Sequence, residues 1–258
     1  MRATRIAMSA LAAVALSALV APTAASAGPA RTTSTPTTVA PAPKTYSYSF
    51  AGTAQGWQAD FADYSPEQGE ESMELKSGIA PLPAGTEHGN GFFIQGHNRS
   101  DDLFMFFKKR LGPADGILPG QRYSVQSSVS FWSKEPTGCL GSGGSAGGSV
   151  HVKAGASTAE PRVYLDAANH YRVTLGKGQQ KNGGPESAYL GNIENGQECG
   201  QAKKWTKVTR TSPSHTALTV QADAQGYLWL NAGTDSGYEG LTQLYYSNIT
   251  TTLTPRSG

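Results

Sequence analysis

Alternation with a period of two is the strongest pattern in the chain. Tyr123, Val125, Ser127, Val129 and Phe131 fall on one face of an extended segment, with Ser124, Gln126, Ser128, Ser130 and Trp132 on the other. That arrangement predicts a strand with one buried face. Similar runs occur at 46–50, 92–95, 103–107, 150–153, 171–175, 205–210, 216–222, 227–232 and 241–253. Turn formers punctuate them: Asn90-Gly91, Asn182-Gly183 and Asn195-Gly196, while Asp223 to Gly226 reads as the turn of a hairpin. No helical period emerges after residue 27. Many short strands with glycine-rich punctuation, 31 glycines among 258 residues, predict an all-β fold, an antiparallel β-sandwich or jelly roll.

The two ends of the chain differ from this pattern. Residues 1–27 carry Arg2 and Arg5, then an apolar core, then Ala25-Ser26-Ala27, and so read as a cleaved export signal. The apolar run is short of the roughly 20 residues that a spanning helix needs. Residues 28–44 are rich in Pro, Thr and Ala with Val39 as the one large hydrophobe, a composition expected of a disordered tether. One β-sandwich domain is then expected over 45–254, in a secreted, extracellular protein without a membrane span.

Losing the signal removes two of the 21 basic residues and none of the 19 acidic ones, which leaves a formal charge of zero. Nucleic-acid binding depends on clustered Lys and Arg, so a near-neutral surface argues against it. Cys139 and Cys199 are the only cysteines. In an exported chain the default expectation is that they form a disulfide.

Candidate chemistry is sparse. His97, Arg99, Asp101 and Asp102 stand directly before the apolar run 103–107 and would be the catalytic cluster if the protein were an enzyme. The plainer reading is a polar loop entering a buried strand, and neighbouring Asp101 and Asp102 would point to opposite faces. There is no HExxH zinc motif and no GxSxG elbow. Val152-Lys153-Ala154-Gly155 resembles the alginate-lyase strand YFKAG, but the RxExR and QIH motifs of that family are absent. Asp235 and Glu239, in the loop 233–240, offer carboxylates of the kind that bind calcium, a structural calcium being the one cofactor considered.

Phe50 to Trp57, Asp60 to Tyr64, Leu118 to Tyr123 and the closing Leu244 to Ile249 together resemble jelly-roll carbohydrate-binding modules with the galactose-binding-like fold. The whole domain, with its extended loops around the cysteines, resembles a group of uncharacterised secreted bacterial proteins. The resemblance implies a calcium held by an acid in the first strand and an aspartate in the last. This sequence has Ala51 or Gly52 and Ser247-Asn248 at those places. Sugar recognition uses aromatic faces flanked by polar groups, which makes Trp57, Asp60, Asp63, Tyr64 and Tyr238 the expected ligand-binding residues. Trp132 and Trp229 lie within strands and fit a core better. The expected function is non-catalytic binding of a glycan or another cell-envelope ligand. The alternatives are a polysaccharide lyase or glycoside hydrolase on the same scaffold, and a structural or adhesive envelope protein with a protein partner.

Overall fold

A computed structural model describes residues 42–99, 102–214 and 218–257. The expected signal at 1–27, and the expected tether as far as residue 41, lie outside the described residues. No helix among the described residues is long and apolar enough to cross a membrane.

Fourteen strands build two packed antiparallel sheets and a small hairpin. The first sheet has seven strands: β1 (Lys44–Ser49), β3 (Lys76–Pro81), β4 (Asn90–His97), β6 (Arg122–Ser133), β11 (Thr206–Thr211), β12 (Leu218–Gln221) and β14 (Leu241–Arg256). The second holds β2 (Gln58–Ala62), β5 (Leu103–Leu111), β7 (Val150–Ser157), β10 (Ser187–Asn192) and β13 (Leu228–Ser236) in the order β10-β7-β13-β5-β2. β8 (Val163–Leu165) and β9 (Tyr171–Val173) form a separate hairpin, tied to the segment after β2 by a single bridge between Tyr64 and Tyr171.

The alternation along β6 holds: Val125, Val129 and Phe131 are buried in the core between the sheets, and Ser124, Ser128 and Ser130 lie on the outer face. Ile94 of β4, Ile249 and Leu253 of β14, Leu103, Met105 and Phe107 of β5, and Leu228 and Leu230 of β13 join the same cluster. β5 is buried on both faces, which is why its sequence is a continuous apolar run. Its second face, Phe104 and Phe106, stacks at 4.9 Å and packs with Ala62 and Leu175 in a separate small core. Val163 and Val173 of the β8–β9 hairpin close that core from outside.

The structure corrects the reading of Asp223 to Gly226. The turn exists, since Gly226 N donates to Asp223 O at 3.1 Å and Tyr227 N to Asp223 Oδ1 at 2.7 Å. It joins β12 of one sheet to β13 of the other, so it is a crossover between layers and not a hairpin. Cys139 and Cys199 form the expected disulfide, spanning 60 residues of sequence.

Candidate functional site

Three carboxylates picked from the sequence for three different chemistries meet at one place. Asp63, Asp102 and Asp235 gather on the outer face of the five-stranded sheet, around Lys177. Alternation along β7 sends Val150, Val152, Ala154 and Ala156 into the core and leaves His151 and Lys153 on the opposite face. In register beside them on β13, Asp235 faces His151 and Gly233 faces Lys153. A side chain at Gly233 would put its Cβ 2.7 Å from the Cα of Phe106, so this position holds only a backbone.

The segment after β9 folds over these charges. Gly178 takes the left-handed conformation at φ +71°, and a Cβ on Gly184 would lie 2.1 Å from the carbonyl of Gly176. The turn can therefore tighten enough for Lys153 Nζ to donate to the carbonyls of Lys177 at 2.7 Å and Asn182 at 3.1 Å. Asp235 Oδ2 accepts from Lys153 Nζ, Lys177 Nζ and Gln180 N, each at 2.9 Å. Lys177 Nζ also reaches Asp63 Oδ2 at 2.9 Å. Arg172 NH1 donates to Asp63 Oδ1 and Arg172 Nε to Asp166 Oδ2, both at 3.2 Å. Gln179 donates to Asp102.

Burial sets the protonation tendencies. Lys153 is fully buried, and desolvation lowers its pKa despite the attraction of Asp235. Burial also works against the charge on Lys177, but Asp235 and Asp63 together outweigh it and raise that pKa. Burial raises Asp102, with Asp235 and Asp63 adding to the rise and Gln179 opposing it. At the outer rim the backbone N–H of His170 holds the Asp166 carboxyl below the usual aspartate range, aided by Arg172 and the N–H of Ala168.

This ladder of charges runs from a dry interior to an open cleft of about 400 Å³, lined by Asp63, Tyr164, Asp166, Arg172, Leu175, Lys177 and Gln179 among others. Tyr164 is 48% exposed. Arg172 is 40% exposed along its side chain and spends two of its nitrogens on carboxylates. The cleft thus offers a wet aromatic ring beside a fixed array of hydrogen-bonding groups.

The remaining residues expected from the sequence lie elsewhere or inside. Trp57 is 3% exposed and meets Tyr48 and Phe50 edge to face at 5.5 and 6.4 Å, so it is a core residue and offers no stacking platform. Tyr64 is 6% exposed, its ring lies 4.9 Å from that of Tyr171, and burial pushes its hydroxyl up to about 12. Tyr238 packs against the core, with Gly141 and Gly240 pressed on its ring. Asp60 stays at the surface, 3.9 Å from Lys108 Nζ.

The catalytic cluster comes apart. His97 Nδ1 lies 2.8 Å from Glu74 Oε1 and Arg99 donates to the carbonyl of Ser72, so both brace the segment before β3. Asp102 instead belongs to the charge ladder, and Asp101 lies outside the described residues. Asp235 is not available to calcium, because two ammonium groups and a backbone N–H already occupy its Oδ2. Glu239 accepts from Ser142 Oγ at 2.6 Å. Among the described residues no group of three or more His, Cys, Asp or Glu could hold a metal ion.

Lys153, Lys177, Tyr164, Asp166 and Arg172 were not singled out for this role by the sequence. The available signal was a lysine inside an otherwise Val/Ala strand, His151 to Ala156, and a lysine in a glycine-rich run, Gly176 to Gly184. Each requires a buried or backbone-bound partner.

No protein-family model matches the chain, and no curated protein matches it. Solved structures similar to it include carbohydrate-binding modules and adhesin domains. The C-terminal family 22 carbohydrate-binding module of Clostridium thermocellum Xyn10B aligns at 15% identity over 81% of this chain and 93% of that one, with a TM-score of 0.35. The K1 cleaved adhesin domain of Lys-gingipain from Porphyromonas gingivalis W83 aligns at 12% identity over 83% of this chain and 99% of that one, with a TM-score of 0.36. A structure from work on carbohydrate-binding modules of the β-sandwich superfamily aligns at 11% identity with a TM-score of 0.36, this chain covering 56% of its length. The solved structures similar to this chain thus include carbohydrate-binding modules, at scores that assign neither architecture nor ligand.

Proposed function

We propose that the protein is a secreted, non-catalytic glycan-binding domain and that the cleft over the charge ladder is its binding site. The observation that carries this reading is the half-exposed ring of Tyr164 beside the Asp166–Arg172–Asp63 chain. A pyranose needs an apolar face on which to rest and oriented polar groups for its hydroxyls. The cleft supplies both, and its polar groups are held in place by one another before any ligand arrives, which reduces the ordering cost of binding. Arg172 and Lys177 together match the two carboxylates of the rim, so the fitting ligand is a neutral sugar chain.

What favours binding over hydrolysis is the state of those carboxylates. A glycoside hydrolase needs one acid with a raised pKa across the substrate from an ionised partner. Here Asp63 and Asp166 both face the same arginine, and Asp166 is held below the usual range. Asp102, whose pKa is raised, is engaged by Gln179.

The test is retention of the domain on a panel of neutral insoluble polysaccharides, with release of sugar ends followed in parallel. Tyr164→Ala is expected to abolish retention while leaving the melting temperature within about 2 °C, as for an exposed substitution. Retention by the Ala variant equal to wild type would remove the cleft from consideration, and new sugar ends would establish catalysis instead.

A further inference from the structure

The seven-stranded sheet carries, on its own outer face, a juxtaposition that costs the fold stability and returns none to it. Arg122 of β6 and Arg256 of β14 are register partners. Both follow the outward alternation of their strands and both are exposed. Like charges directly opposite one another destabilise a sheet. Neither arginine joins any of the ion pairs found among the described residues. The two backbones are instead fastened together by Gln121, whose Nε2 donates to the carbonyls of Arg122 at 2.7 Å and Arg256 at 2.8 Å. The pair lines a cavity of about 450 Å³ together with Thr219 and Ser257, and Arg256 NH1 donates to Ser124 Oγ at 3.4 Å.

From this corner the outer face continues as rows of uncharged hydroxyl and amide groups. Thr254 pairs with Ser124, and Ser124 with Thr219; Thr252 pairs with Gln126; Thr250 pairs with Ser128, and Ser128 with Thr211. The face is therefore polar and uncharged beside the two arginines, and only farther along does it carry Trp132, Tyr245 and Phe93, with Lys207 already paired to Glu87.

We propose that the Arg122–Arg256 corner is a second binding site, a seat for the carboxylate of an acidic sugar unit in a polysaccharide laid across this face. A planar carboxylate accepts forked hydrogen bonds from guanidinium groups and removes the repulsion between them. The neutral rows beyond suit the hydroxyls of the chain. Two cations at one corner do not make the phosphate-tracking stripe that nucleic acid requires. The inference rests on the opposite sheet from the cleft and stands independently of it.

The probe is polygalacturonate, compared by titration calorimetry with its fully methyl-esterified form, which keeps the backbone and removes the charge. The acid form is expected to bind and the ester to bind at least about tenfold more weakly, the size expected for losing a hydrogen bond to a charged group. Arg122→Gln and Arg256→Gln should each weaken the acid form by about tenfold or more, with melting temperatures equal to wild type or slightly higher because each relieves the repulsion. Tyr164→Ala should leave this binding intact, which separates the corner from the cleft. The logarithm of affinity should fall against the logarithm of salt concentration with a slope of roughly −1 to −2, as for one or two released counterions. Equal binding of acid and ester, wild-type affinity in the double Arg→Gln variant, or no binding of polygalacturonate would each overturn the proposal. Binding of a heparin oligosaccharide alone would also overturn it, by assigning the pair to sulfate.

Discussion

Asp235→Asn is the substitution that weighs the charge ladder. The Asp235 carboxylate is fully enclosed and its Oδ2 receives two ammonium groups and a backbone N–H, all at 2.9 Å. An asparagine keeps the shape and loses the charge, so the ladder is left with buried cations. Lys177 retains Asp63, but Lys153 keeps only the carbonyls of Lys177 and Asn182. Removing one member of a buried ion pair costs about 3–5 kcal/mol, because the other is left uncompensated. For a domain of this size each kcal/mol shifts the melting temperature by roughly 2–4 °C, so the expected fall is about 6–20 °C at neutral pH.

Lys153 has an escape, since it can shed its proton. With its folded pKa below the unfolded value, the unfolded chain binds more protons between the two, and the variant should regain stability as pH rises through that window. The assay is calorimetric unfolding of wild type, Asp235→Asn and Asp235→Asn/Lys153→Met from pH 6 to 10. The double variant removes the stranded cation and should be more stable than the two separate losses would give. Glu87→Gln serves as a reference, because its pair with Lys207 spans 3.4 Å between exposed side chains and is worth at most about 1 kcal/mol. A fall of less than about 3 °C for Asp235→Asn at pH 7 would refute the reasoning, since it would mean that water reaches the ladder.

Three further outcomes follow from the same structure. Asp102→Asn is expected to raise the melting temperature at pH 7: the raised folded pKa makes the native state bind more protons between the ordinary value of 3.8 and the raised one, so the wild type loses stability as pH climbs through that window. The advantage should vanish below that window, and a variant less stable than wild type at pH 7 would contradict the assignment. Trp57→Ala is expected to cost about 3–5 kcal/mol as a core truncation, read as a lowered denaturation midpoint in urea; a midpoint unchanged with the slope intact would return Trp57 to the surface. Cys139→Ser/Cys199→Ser is expected to cost about 2–5 kcal/mol, and unfolding scans of the oxidised wild type against the variant would expose any smaller effect.

Much of the architecture was legible because period-two alternation is a local signal. The faces of β6 followed from it directly, whereas β5 was read as a strand with one buried face and is buried on both. β2, β3, β8 and β10 were not read: Gln58–Ala62 mixes an aspartate with a single aromatic at an outer strand, Lys76–Pro81 contains both Gly and Pro, and Val163–Leu165 spans three residues. Trp57 was misplaced because the polar residues Gln58, Asp60 and Asp63 follow it in sequence, whereas β2 sends Gln58 and Asp60 outward, Asp63 joins the buried ladder, and the ring stays inside. The site failed for a different reason. Asp63, Lys153, Lys177 and Asp235 come from distant segments, with 58 residues separating Lys177 from Asp235. Single-sequence patterning shows that a buried charge needs a partner but cannot show which one closes over it.

The first and last strands of the domain are neighbours, with Lys44 set against Leu253 and Ser49 against Asn248. The last strand is also the inner one, since β14 lies against β1, β4 and β6. A nascent chain therefore cannot complete this sheet until its final sixteen-residue strand has left the ribosome. Without β14, β4 and β6 have no strand between them to pair with. Such long-range pairing makes folding slow, and until β14 is in place the sheet remains open along the edges of β4 and β6.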